Sequence, residues 1–205
     1  MDRFGRTINY LRLSVTDRCN LRCSYCMPEE GVPLCSHDEI LRYEELLQIA
    51  RAAAKLGIEK VRVTGGEPLV RKDLPELAAY AVDRGMRAVI STNGTLITRE
   101  MAHTLKAIGL SYVGISLDGM QEIHDRFRAV KGCFEDALKG IRNTQEAGIK
   151  VGLRFTINKF NVGDIPAVFD LLEEMDIPRV CFYHLDRKSG SAGMPRPMRD
   201  LVCRL

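Results

Sequence analysis

Strand-like and helix-like segments alternate along nearly the whole chain, and that order leaves few architectures open. The pattern predicts strands over Tyr10 to Val15, Lys60 to Thr64, Arg87 to Thr92, Tyr112 to Leu117, Lys150 to Ile157 and Arg179 to Leu185. Helical spacing predicts helices over Tyr43 to Leu56, Leu74 to Arg84, Arg99 to Ile108, Phe134 to Ala147 and Ile165 to Met175. Gly57, Gly85 and Gly148 stop three of them, and Thr98 reads as an N-cap. Six strand units joined by helices imply parallel strands, outer helices and right-handed crossovers. A doubly wound sheet and a barrel both satisfy this rhythm. The 205 residues suffice for one domain with a substantial core.

Folds of this kind build their sites from loops at the carboxyl ends of the strands. The loop after the first strand holds Cys19, Cys23 and Cys26, spaced C-x3-C-x2-C, with no fourth ligand beside them. A structural zinc site wants four ligands and a closed shell. A four-iron cluster held by three thiolates leaves one iron open, which suits a reaction centre. Three exposed thiols with no metal would invite oxidation. Cys35 is the weaker candidate for a fourth ligand, across a nine-residue gap. Cys181 lies in an apolar run and reads as core.

The net charge of +3, with lysines and arginines scattered, excludes a nucleic-acid stripe. No run of about 18 apolar residues predicts a membrane span. The N-terminus lacks the apolar core of a secretory signal, so a cytoplasmic location is the default. In that compartment seven cysteines read as ligands or free thiols rather than disulfides.

The other unusual segments also follow strands. They are Thr64-Gly65-Gly66-Glu67-Pro68, Ser91-Thr92-Asn93-Gly94, Ser116-Leu117-Asp118-Gly119 and Tyr183-His184-Leu185. Singly, Gly65-Gly66, Asn93-Gly94 and Asp118-Gly119 are ordinary turn chemistry. A glycine pair directly after a strand also lets backbone approach a ligand closely. His184 reads equally as core or site. His124 and Asp125 fall in the stretch before the fourth helix and read as surface loop residues. With parallel strands, all these loops converge on one face.

Taken together and in this order, the cysteine triplet with Tyr25, Gly65-Gly66-Glu67-Pro68, Ser91-Thr92-Asn93-Gly94 and Ser116-Leu117-Asp118 resemble the radical S-adenosylmethionine superfamily. The likeness runs from about Leu11 to about Leu185. It implies an α/β fold, an incomplete (β/α)6 barrel (a partial TIM barrel). It also implies a [4Fe-4S] cluster on Cys19, Cys23 and Cys26, whose open iron chelates S-adenosylmethionine. One electron from a low-potential donor of flavodoxin or ferredoxin type would then yield a 5′-deoxyadenosyl radical that abstracts a substrate hydrogen. By the same resemblance Gly65, Gly66, Glu67 and Pro68 border the methionyl amino group, Tyr25 lies beside the adenine, and Thr92, Asn93 and Ser116 hold the nucleoside.

Two subfamilies divide the chain. Leu11 to Pro28 and Val61 to Pro75 are similar to the GTP cyclases of molybdenum-cofactor synthesis, in which residues matching Arg12 and Arg62 contact GTP. The cyclases' substrate lysine in the fifth strand has no counterpart in Val151-Gly-Leu-Arg-Phe-Thr156. Tyr112 to Gly119, His124 to Arg128, Val151 to Thr156 and Ile177 to Leu185 instead resemble the radical enzymes that trim sirohaem-derived tetrapyrroles in haem d1 synthesis and the alternative haem pathway. Substrate choice should reside in the later strands, so a tetrapyrrole is the expected small-molecule substrate, with Arg12, Arg62, Arg154 and His184 as candidate contacts. A GTP cyclase, a peptide-modifying radical enzyme and a non-catalytic metal-binding module are the alternatives. Residues 1–187 are expected to form the core domain and 188–205 an irregular tail. A C-terminal segment for a second cluster is expected to be absent.

Overall fold

The structure, a computed structural model, describes residues 3–26, 35–36 and 39–184. The expectations for Leu185 and for residues 188–205 lie outside them. Strands β1 (Tyr10–Ser14), β2 (Lys60–Thr64), β3 (Arg87–Thr92), β4 (Tyr112–Ser116), β5 (Lys150–Ile157) and β6 (Val180–His184) are parallel and pair in sequence order. Helices α1 (Tyr43–Lys55), α2 (Leu74–Asp83), α3 (Arg99–Ala107), α4 (Gln121–Arg128), α5 (Cys133–Glu146) and α6 (Ile165–Glu174) lie between them. A doubly wound sheet would reverse strand order part-way. This order never reverses, and the sheet curls into a half-barrel.

Successive side chains of a strand point to opposite faces. Leu13, Val63, Ile90, Ile115, Leu153 and Phe155 face the helices and pack with Leu46, Ala78, Leu105, Ile141 and Val168 in one apolar layer. Each such side chain, fully buried, contributes about 1.5–3 kcal/mol, so this outer layer holds the fold. The inner face carries Arg12, Arg62, Ser91, Tyr112, Ser116 and Arg154. Closed eight-stranded barrels fill that space with branched aliphatic residues. A charged inner face is a site rather than a core.

Three strands, β2, β3 and β5, have their predicted bounds, and the other elements shift by a residue or so at their ends. Helix α4 is the exception. Its sequence, Gln-Glu-Ile-His-Asp-Arg-Phe-Arg, is too polar to show a helical stripe. Only Ile123 and Phe127 mark one face, four residues apart. The expectation of a surface loop for His124 and Asp125 is therefore corrected. His124 is buried at 1% exposure. Asp125 accepts hydrogen bonds from the backbone of Gly132 (2.6 Å) and Phe134 (2.9 Å), bracing the start of α5. No helix among the described residues is long and apolar enough to cross a membrane.

Candidate active site

The cysteine loop is pinned from three sides. Arg22 and Ser24 donate backbone N–H groups to the carbonyls of Arg128 and Phe127 at the end of α4 (3.2 and 2.8 Å). Asn20 accepts from Asn93 (2.9 Å) and donates to Thr95 (2.9 Å), both in the loop after β3. Leu21, Cys23 and Cys133 pack together beneath the loop. Cys23 and Cys26 share a hydrogen bond that pulls the Cys23 thiol down to about 6, with the Arg128 charge helping and burial opposing. The same bond and burial push Cys26 up, and burial pushes Cys19 up. Cys23 and Cys26 thus share a proton, and Arg128 at 3.3 Å favours the thiolate on Cys23. Among the described residues no three His, Cys, Asp or Glu side chains share a metal-ligating focus. The three thiols share a loop.

The Gly65–Pro68 segment shows why two glycines stand after β2. Gly65 has φ +154°, a region that residues with a Cβ rarely enter. An added Cβ there would lie 2.6 Å from the Thr16 carbonyl oxygen, and one on Gly66 would collide with that of Arg18. The backbone these glycines approach is the stem of the cysteine loop. Gly66 and Glu67 donate N–H groups to Thr16 and Arg18 (2.8 Å each). Glu67 is wholly buried and accepts from Thr92 Oγ1 (2.7 Å), Asn93 N (2.7 Å) and Leu69 N (3.0 Å). Burial raises its carboxyl pKa against the pull of these bonds. The side chains of Glu67, Thr92 and Asn93 therefore brace the loops, and any contact of this segment with a ligand falls to its backbone. Gly66→Ala is expected to cost about 1–3 kcal/mol by overpacking and to lower iron loading in parallel, as read by thermal melting and iron analysis.

Asp118 is the centre of a second network, one the sequence did not single out as a site. It is fully buried. Its Oδ2 accepts from Tyr25 (2.7 Å) and from Arg128 (2.6 Å), and its Oδ1 from Thr156 N (2.9 Å). Its carbonyl accepts from Asn161 (3.0 Å). Arg128 reaches on to the Cys23 sulfur at 3.3 Å, while its buried Nε has no partner. Tyr25 is thereby fixed between the cysteine loop and β5. The backbone N–H of Asp118 donates to His124 Nδ1 at 3.1 Å, which holds the imidazole neutral.

Burial, aided by the Arg128 charge, lowers the His124 pKa from 6.5 to about 4. The unfolded chain takes up that proton first, so the stability it confers is complete above about pH 6.5 and falls as pH drops towards 4. About 2 kcal/mol should be lost by about pH 5. Denaturant melts of wild type and His124→Gln at pH 7 and 5 check this: the variant should lose the smaller share between the two.

The inner face brings together Arg12, Arg62 and Arg154. Arg12 and Arg62 are register partners on β1 and β2. Arg62 donates to Tyr10 and to Ser91 (2.8 Å). Arg154 pairs in register with Ser116, and its guanidinium lies 4.8 Å from the Tyr183 ring centre. Burial depresses its pKa, and the charges of Arg62 and Arg12 add to that. None of the three forms an ion pair among the described residues. His184 does not join them. Strand alternation sets it on the Phe182 side of β6, and it is exposed.

Residues 13–172 match the model of the Radical SAM superfamily. The chain belongs to that superfamily. A protein named Fe-coproporphyrin III synthase, from Methanosarcina barkeri, is 59% identical over 172 residues, 84% of this chain and 43% of that protein. A GTP 3′,8-cyclase from Geobacter sulfurreducens is 53% identical over 151 residues, 72% of this chain and 46% of the cyclase. The chain thus spans less than half the length of the curated relatives it matches. Among solved structures, anSMEcpe with bound AdoMet gives a TM-score of 0.73 at 22% identity, covering 86% of this chain and 50% of that one. Streptococcus suis SuiB bound to S-adenosylmethionine gives 0.72 at 20%, covering 87% and 39%. At such identities these two speak for the fold.

The chain is accordingly an enzyme of the radical SAM class, whose cofactors are a [4Fe-4S] cluster and S-adenosylmethionine. The residues present fit the cluster: three thiols share one loop, beside a buried cation that reaches the Cys23 sulfur and whose Nε has no hydrogen-bond partner among the described residues. Radical SAM enzymes typically need a reductant.

Proposed function

We propose that this protein modifies an acidic tetrapyrrole derived from sirohaem, in haem or haem d1 synthesis. The observation that carries the reading is the trio Arg12, Arg62 and Arg154, three guanidiniums on one inner wall with no ion-pair partner among the described residues. Arg62 and Arg154 are part-buried and Arg12 is exposed beside them. Part-buried like charges persist at a cost unless an anion joins them, and a tetrapyrrole offers several carboxylates. The 59% identity to a protein named Fe-coproporphyrin III synthase supports the same substrate class.

In this reading Cys19, Cys23 and Cys26 hold the cluster. With S-adenosylmethionine bound, it supplies a carbon radical that takes a hydrogen atom from the substrate. The chain's own part is to bind, orient and shield. Tyr25, fixed by Asp118, walls the adenine side. The backbone of Gly65 to Pro68 borders the methionyl end. Ser116 faces the nucleoside, and Thr92 and Asn93 set the loop beneath it. We assign the electron to a flavodoxin or ferredoxin type donor and the location to the cytoplasm, where six free cysteines among the described residues stay reduced. Residues 1–187 form the core domain in this proposal.

The test is an anaerobic assay of the reconstituted protein with dithionite and S-adenosylmethionine, offering didecarboxysirohaem against GTP. Consumption of the tetrapyrrole with formation of 5′-deoxyadenosine is the expected result. Conversion of GTP to a cyclised nucleotide would overturn the substrate. Failure to form any 5′-deoxyadenosine would overturn the catalytic reading.

A further inference from the structure

Gly114 on β4 and Gly152 on β5 are register partners, side by side on the inner face. Neither has room for a side chain. A Cβ on Gly152 would collide with the Tyr112 hydroxyl and lie 3.1 Å from its Cζ. A Cβ on Gly114 would lie 3.1 Å from Arg154 Cδ and 3.4 Å from a Tyr112 ring carbon. The two glycines form a slot, with the Tyr112 ring lying across it and the Arg154 arm alongside.

The two side chains in that slot are both donors. The Tyr112 hydroxyl makes no hydrogen bond among the described residues. Burial, with the Cys181 thiol adding to it, raises the phenol pKa, so it keeps its proton. Arg154 stacks on Tyr183, itself 41% exposed, and its charged neighbours are Arg62 and Arg12. One O–H and one planar guanidinium on the same wall match the two oxygens of a carboxylate. The Arg154–Tyr183 stack supplies a flat surface beside them for the body that bears it.

We infer that Tyr112 is a substrate-binding residue that sets specificity: with Arg154 it takes one carboxylate of a flat, acidic substrate, and the Gly114–Gly152 slot keeps it in place. This rests on the tetrapyrrole reading above. It adds a residue to which the sequence assigned no role.

The test is a visible-absorbance titration of the full reconstituted chain, with S-adenosylmethionine present, using Fe-coproporphyrin III as probe and GTP as the competing polyanion. Tyr112→Phe keeps the ring and removes the donor. It should weaken porphyrin binding roughly tenfold, the loss of one hydrogen bond to a charged group. Its melting temperature should match wild type. Gly152→Ala, which pushes the hydroxyl aside, should weaken binding at least as much. If wild type binds the porphyrin and Tyr112→Phe binds it equally well, the Tyr112 assignment is overturned and the tetrapyrrole reading stands. If wild type ignores the porphyrin, or binds GTP in its place, both fall.

Discussion

Arg128→Met is expected to cost about 3–5 kcal/mol of stability, because it strands a buried carboxylate. Asp118 and Arg128 have side-chain exposures of 0% and 6%, so their 2.6 Å contact lies out of bulk solvent. For a domain of this size that loss lowers the melting temperature by roughly 6–20 °C. Asp118→Leu in the same chain removes the stranded charge. The double variant should therefore be more stable than Arg128→Met alone, by about 1 kcal/mol or more. Calorimetry of the two single variants and the double one gives the coupling. An Arg128→Met protein that melts with wild type would mean that the pair contributes nothing to holding α4 against β4.

Cys23→Ser should abolish iron retention and with it all 5′-deoxyadenosine formation, because a hydroxyl does not replace a thiolate on iron. Cys23 differs from its neighbours in that the Cys26 hydrogen bond and the Arg128 charge draw its thiol down. Cys133 packs against it but is pushed up to about 12 by burial and by its hydrogen bond to Asp125, so it stays protonated. Cys133→Ser should keep its iron, and so should Cys35→Ser. Iron analysis after anaerobic reconstitution separates the four proteins. Iron lost from Cys35→Ser would revive the idea of a fourth ligand in this loop.

The strands were legible because their inner and outer faces alternate cleanly, as in Lys60-Val-Arg-Val-Thr64. Helix α4 was not. Its two apolar residues are too few for a periodic signal, and what fixes it is tertiary: the bond from the Asp118 backbone to His124 and the packing of His124 on Phe134. For the same reason His124 looked like a surface residue. Its burial depends on α5, which lies beyond it in the chain. The glycine pair after β2 was legible as a close approach, but the partner was not, since Thr16 and Arg18 lie about fifty residues earlier. Tyr112 and Arg128 stood at the ends of recognised stretches, but nothing in those stretches gave either a role. Their roles arise from cross-strand register and from a helix end meeting a distant loop.

The amino-acid sequence by itself determined that strands and helices alternate, that three thiols share one loop, and that the loops after β1 to β4 hold the unusual residues. These are local facts of periodicity and spacing, and each can be read within some twenty residues. Tertiary structure alone decided that Glu67, Thr92 and Asn93 grip one another, that Asp118 joins Tyr25 to Arg128, and that three arginines from β1, β2 and β5 share one wall while His184 turns away. Those contacts join residues far apart in the chain, and strand order and register, which no short stretch encodes, bring them within reach.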